Sequence, residues 1–155
     1  MNLVLLTDAH LPALQAIEKA VQLTPWADDT FRSCLSGRET CWGYEDDDGR
    51  LLAFAIVQDI LDERHLLNIA VDPNDHRRGL GQQLLRHVIN SAIDSDLSVI
   101  YLEVRKSNRA AIKLYKKHDF SICGQRKNYY ARGEHKEDAV LMLKHLPAAP
   151  IAFSS

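Results

Sequence analysis

No hydrophobic run in this sequence approaches the length of about 18 residues that a membrane-spanning helix needs. The N-terminus has no basic region followed by an apolar segment, so neither secretion nor membrane spanning is expected, and a cytoplasmic setting is. Cysteine is scarce. The three thiols, Cys34, Cys41 and Cys123, are odd in number and lack C-x-x-C spacing, which fits reduced side chains and not a disulfide framework. The seven histidines show no i, i+4 pair and stand apart from the cysteines, so no metal site is expected. An excess of basic residues is missing too. Lys and Arg number 19 against 21 Asp and Glu, and a net charge of −2 leaves no footprint for nucleic acid. There is no internal repeat, linker or low-complexity block. What remains is an ordinary globular composition: 155 residues, 46% hydrophobic and 26% charged, enough for one domain with a real core.

Apolar periodicity orders that core. Asn2 to Leu6 reads as a strand, and Thr7 or Asp8 can cap a helix with Leu11, Leu14, Ile17, Ala20 and Val21 on one face. Thr24-Pro25 ends it, and Ala27 to Leu35 forms a shorter helix closed by Ser36-Gly37. Cys41 to Tyr44 and Leu51 to Ile60 are strands about the turn Asp46-Asp47-Asp48-Gly49. That turn lacks the other positions of a calcium loop and reads as solvated. Strands follow at His65 to Val71 and Val99 to Val104, with a helix to about Ile93 between them. A short helix at Ala110 to Lys117 precedes strands Phe120 to Gln125 and Ala139 to Leu146, which a polar loop through Tyr129-Tyr130-Ala131-Arg132-Gly133 separates. The order implies one mixed α/β sheet with helices on both faces. The domain is expected to span 1–147, with a loose, proline-containing tail at 148–155.

The most informative stretch joins the strand ending at Val71 to the helix containing Leu84, Leu85, Val88, Ile89 and Ala92. Asp72-Pro73-Asn74-Asp75 makes a turn, and Arg77-Arg78-Gly79-Leu80-Gly81-Gln82 leads into the first helical turn. Backbone N–H groups there lack helical partners and carry partial positive charge. Glycine without Cβ lets a ligand approach them closely, so the loop suits a phosphate or pyrophosphate. It is neither of two familiar loops. Gly81 lacks the following Lys-Ser/Thr of a nucleotide P-loop, and position 84 is Leu where a dinucleotide fingerprint has its third glycine.

Gly-x-Gly after arginines, between a strand and an amphipathic helix, resembles the acyl-CoA loop of the GCN5-related N-acetyltransferase (GNAT) superfamily. The family pattern is Gln/Arg-x-x-Gly-x-Gly/Ala, and His76 departs from its first position. The element order matches as well. The resemblance implies a mostly antiparallel sheet in which the strands around Ile69 and Leu102 splay apart to hold the acyl-CoA arm. Within the superfamily, Leu102-Glu103-Val104-Arg105 and Asn108-Arg109-Ala110-Ala111-Ile112-Lys113-Leu114-Tyr115 look like the ribosomal-protein-alanine N-acetyltransferases of RimI type.

That resemblance implies acetyl-CoA as cosubstrate, with no metal. The acceptor would be a protein N-terminus, the alanine of small-subunit ribosomal protein eighteen, and nucleic acid and membrane play no part. It makes Glu103 the proton acceptor and Tyr115 the proton donor, in direct attack within a ternary complex. Cofactor contacts are expected from Ile69, Ala70, Val71, Arg77, Arg78, Gly79, Leu80, Gly81, Gln82 and Asn108.

The residue types suit the chemistry. A carboxylate can take the amine proton, and a phenol with a pKa of about 10 can donate to a leaving thiolate. Asn108 offers an amide donor and acceptor to a pantetheine-like arm. Each also has a structural reading: Glu103 as an ion-paired strand end, Tyr115 as core and Asn108 as a helix N-cap. Trp26, Tyr129 and Tyr130 are candidates to flank the acceptor, or rings that cover the edge of the core. Lysine or small-amine acylation, a non-catalytic acyl-CoA sensor and an adaptor using Arg126, Lys127 and Arg132 stay as alternatives. A monomer is expected.

Overall fold

The computed structural model describes residues 1–147, apart from Arg77 and Gly133 and the side chains of Arg132 and His135. The expected tail at 148–155 therefore lies outside the described residues, as does Arg77. Seven strands form one sheet: β1 (Asn2–Leu5), β2 (Thr40–Glu45), β3 (Leu51–Ile60), β4 (Glu63–Val71), β5 (Val99–Arg105), β6 (Ser121–Arg132) and β7 (His135–His145). Their order is β1-β2-β3-β4-β5-β7-β6. Only β4 and β5 run parallel; the other neighbours are antiparallel.

Helices cover both faces. On one lie α1 (Leu11–Val21) and α2 (Asp28–Ser36), whose Leu14, Ile17 and Phe31 pack on Leu51, Phe54 and Ile56 of β3. On the other lie α3 (Leu80–Asp94) and α4 (Arg109–Lys117). The α3 stripe Leu84, Leu85, Val88 and Ala92 is fully buried against Leu52, Ala55 and Val57. Each such side chain contributes about 1.5–3 kcal/mol by leaving water, so these stripes fix which face meets the sheet.

One bulge decides where the sheet opens. Asn68 pairs with Ile56 and Leu66 with Val57, so Leu67 is an extra residue on β4. The extra residue exchanges the faces of the strand. Leu66 belongs to the core beneath α3, whereas Asn68 and Ala70 face α1. The parallel pairing of β4 with β5 also stops there, its last pair being Leu66 with Leu102. Beyond it the strands part, as the resemblance implied.

Two sequence expectations need correcting. The polar loop proposed around Tyr129 to Gly133 is for the most part strand, since β6 and β7 extend to Arg132 and from His135 as a long hairpin. Its register jumps between Arg126 and Tyr130, where Asn128 takes a positive φ of 54° and its N–H donates to Asp138 Oδ1. The turn before α3 is also more regular than expected, with Pro73–Asp75 forming a short 3-10 helix capped by Asp72.

Candidate active site

The gap between β4 and β5 is a cavity of about 480 Å³. Leu67 and Glu103 are the first residues past the last β4–β5 pair, and both line it. Asn108 and Tyr115 of the α4 segment line the same space, as do Glu18, Trp26, Tyr129 and Tyr130. A larger groove of about 870 Å³ shares Trp26, Glu103, Tyr129 and Tyr130 as walls and extends along α2 and β6. Glu103 thus stands where the two cavities share a wall.

The backbone of β4 is arranged to receive an extended ligand. The Asp72 N–H donates to Leu52 O at 2.8 Å, which makes that pair a bonded one. Bonded and non-bonded pairs alternate in an antiparallel ladder. Ala70 therefore bonds back to Phe54, while Ile69 and Val71 turn their amide groups toward the gap. His76 Nε2 donates to Val71 O at 3.0 Å, leaving the Val71 N–H for a ligand. Of the three β4 residues expected to meet the cofactor, Ile69 and Val71 turn their backbone groups to the gap. Ala70 instead buries its methyl under α1.

At the start of α3, Gly79 takes the N-cap position with φ 73°, and no side chain caps the helix. A Cβ on Gly79 would meet nothing within 4 Å among the described residues, so on that side the approach to the first amides is open. The first intrahelical bond runs from Gln83 N to Gly79 O, leaving the Leu80, Gly81 and Gln82 amides outside the ladder. Leu80 offers only its backbone, because its side chain is core. A Cβ on Gly81 would face Val71 and Leu114 at 3.6 and 4.0 Å, ordinary contact distances, so this position lies between β4 and α4. Gln82 Oε1 accepts from Lys117 Nζ at 2.9 Å, which brings an α4 cation to the loop. Arg78 donates to the buried Asp75 at 3.1 Å and remains half exposed.

The remaining side chains carry acid–base potential. Glu103 Oε1 lies 3.3 Å from Arg126 Nη2, and that guanidinium also stacks over Tyr129 at 5.3 Å. The structural reading of Glu103 as an ion-paired strand end therefore holds, with Arg126 as the partner. Tyr115 is buried against Phe120, and burial, with Tyr130 nearby, raises its phenol above the ordinary value. Tyr130 is pushed up to about 12 by burial and then by the Glu103 charge. Both phenols hold their protons at neutral pH. Asn108 Oδ1 caps α4 by accepting from Ala111 N at 3.2 Å, so its NH₂ is the group left to meet a ligand. In the groove wall the Cys34 thiol is pushed up to about 11 by burial, which removes thiolate chemistry at neutral pH.

Sequence reasoning missed Glu18. It sits in the apolar stripe of α1 at 1% exposure, and both carboxylate oxygens accept from Asn68 Nδ2 at 3.1 Å. Its Oε2 also takes the Trp26 N–H at 3.0 Å. Burial raises its pKa, and the bonds from Trp26, Asn68 and Gln22 act the other way. This carboxylate ties β4, just past the bulge, to the segment that carries Trp26. A charged residue four positions after Leu14 in an otherwise apolar face was the available signal.

Residues 7–120 match the model of the Acetyltransferase (GNAT) family. The chain is 41% identical over 137 residues to the [ribosomal protein bS18]-alanine N-acetyltransferase of Escherichia coli K12, covering 88% of this chain and 92% of that protein. The same-named protein of Salmonella typhimurium is 42% identical over 138 residues, covering 89% and 93%. A crystal structure of the ribosomal-protein-S18-alanine N-acetyltransferase from Escherichia coli superposes with a TM-score of 0.89 at 37% identity, covering 99% of both chains. A split sheet, an open helix start beside it and close relatives along nearly the whole length agree: this chain belongs to the GNAT family and is an acetyl-CoA-dependent N-acetyltransferase.

Proposed function

We propose that the chain moves acetyl from acetyl-CoA to the α-amine of an N-terminal alanine, with small-subunit ribosomal protein bS18 as acceptor. The relatives carry that activity in their names. The observation that carries the reading is Glu103, the first β5 residue past the split, lining both the gap and the groove. The pantetheine arm runs along Ile69 and Val71, and the acceptor enters by the groove under Trp26, Tyr129 and Tyr130.

In this reading Glu103 takes the amine proton, directly or through one water, as the nitrogen attacks the thioester carbonyl. The Val71 N–H stabilises the oxygen that gains charge. Tyr115 gives its proton to the departing thiolate. The pyrophosphate rests on the Gly79 to Gln82 amides, with Arg77 and Arg78 adding charge. An α-amine with a pKa near 8 is about a tenth neutral at pH 7, whereas lysine near 10.4 is neutral in only a few molecules per ten thousand. One carboxylate base therefore suffices for an N-terminus.

Initial rates on short peptides test the acceptor class. A peptide beginning with Ala is expected to be acetylated at least about tenfold faster than the same peptide N-terminally blocked and carrying an internal lysine, given that difference in neutral amine. The reverse order would assign the enzyme to lysine side chains.

A further inference from the structure

We propose that Arg50 is a positioning residue for acetyl-CoA, acting through Asp75 to keep Arg78 available to the pyrophosphate. The inference rests on the reading of Arg77 to Gln82 as the pyrophosphate loop. Arg50 lies beyond the β2–β3 turn, far in sequence from that loop, yet three carboxylates converge on it. Its Nη2 donates to both oxygens of Asp75, at 3.2 and 3.0 Å. Its Nη1 reaches Asp72 Oδ2 at 3.4 Å, and its Nε lies 3.5 Å from Asp46 Oδ2. These carboxylates raise its own pKa, the Asp75 bond most of all, so it is a permanent cation.

The geometry creates a contest for one carboxylate. Asp75 is 4% exposed and its Oδ1 is shared between Arg50 and Arg78, the latter at 3.1 Å. A buried carboxylate needs charged donors. While Arg50 holds both oxygens, Arg78 makes a single hydrogen bond among the described residues, through one of its several N–H groups. Without Arg50, Asp75 draws Arg78 into its own fork and withdraws it from the ligand. Asp72, which Arg50 also contacts, would then face an incoming pyrophosphate without that counter-charge. Arg50 thus contributes twice, by its charge and by releasing Arg78.

The test compares two acetyl donors, acetyl-CoA and S-acetyl-pantetheine, which lacks the pyrophosphate and nucleotide. Arg50→Ala is expected to raise KM for acetyl-CoA about tenfold, the scale of one lost charge-assisted contact, with kcat near wild type. Kinetics with S-acetyl-pantetheine should stay within about twofold. Arg50→Lys should recover part of the loss. Adding Asp75→Asn to Arg50→Ala should recover most of it, because a neutral amide no longer competes for Arg78. Equal losses with both donors, an unchanged KM for acetyl-CoA, or no recovery with Asp75→Asn would each overturn the proposal.

Gly79→Asp separates this inference from the loop reading beneath it. The position has open space for a Cβ, and Asp tolerates its positive φ better than most residues. The new carboxylate would stand where the pyrophosphate is proposed to sit, so acetyl-CoA should lose its advantage while S-acetyl-pantetheine is spared. If Gly79→Asp behaves so and Arg50→Ala keeps the acetyl-CoA KM, Arg50 alone is excluded. If Gly79→Asp leaves the donor preference intact, the pyrophosphate loop itself is wrong and the Arg50 inference goes with it.

Discussion

Glu103→Gln is expected to lower kcat/KM for an Ala-led peptide by about 10²–10⁴-fold at pH 7, the usual worth of a positioned general base. The amide keeps the shape of the side chain and still accepts from Arg126, so the groove wall should survive. The deficit should depend on pH in a defined direction. As pH rises through the α-amine pKa near 8, solution supplies neutral amine and the variant approaches the wild type. Full pH profiles of both enzymes, with chemistry shown to be rate-limiting, make the check. A loss below about threefold at pH 7 would remove Glu103 from the role and turn attention to solvent water and the backbone carbonyls near Ile69.

Tyr115→Phe should cost about 10²-fold in kcat with acetyl-CoA binding near normal, because only the proton for the thiolate is lost. Phe retains the packing against Phe120, so folding should change little. The sign of the pKa shift sets the pH behaviour. Burial raises the phenol above its ordinary value, so the proton is present throughout a profile from about pH 6 to 9 and higher pH cannot restore the variant. Its deficit should therefore be flat where that of Glu103→Gln shrinks. Tyr130, whose phenol is pushed up to about 12 and which lines the same cavity, serves as the comparison. A full rate in Tyr115→Phe together with a collapse in Tyr130→Phe would move the donor role to Tyr130.

The parts of this site legible in the sequence share a physical origin. Gly79 and Gly81 before an amphipathic face marked the helix start, because backbone freedom and apolar period are written locally. Glu103, Asn108 and Tyr115 are expected at the site chiefly through the resemblance; they line one cavity, and each holds a structural contact as well: Arg126, the α4 cap and Phe120. Ala70 is expected among the cofactor contacts because sequence does not say which amides of a strand point outward. That parity depends on the bonded pair Leu52–Asp72 across the sheet. In sequence the outer half of β6 reads as loop because Gln125 to Tyr129 are exposed, and a strand that buries neither face leaves no alternation to see. Asp75 lies 25 residues from Arg50 and was read as part of a turn; its burial between two guanidiniums appears only when hairpin and loop meet.

The Leu67 bulge is the least legible feature and the most consequential. It turns Asn68 toward Glu18, at the point where β4 leaves β5. A single extra residue thus ends a parallel pairing and opens the gap. No composition signal accompanies it, since Leu66 and Leu67 are identical side chains with opposite fates, one buried and one exposed.

The most direct measurement is mass spectrometry of ribosomal-protein N-terminal peptides from cells with and without this protein. The account predicts that the N-terminal alanine of small-subunit protein bS18 is acetylated when the protein is present and free when it is absent. It also predicts that a copy carrying Glu103→Gln fails to restore the mark. An N-terminus acetylated equally in both, with lysine acetylation changed instead, would contradict it.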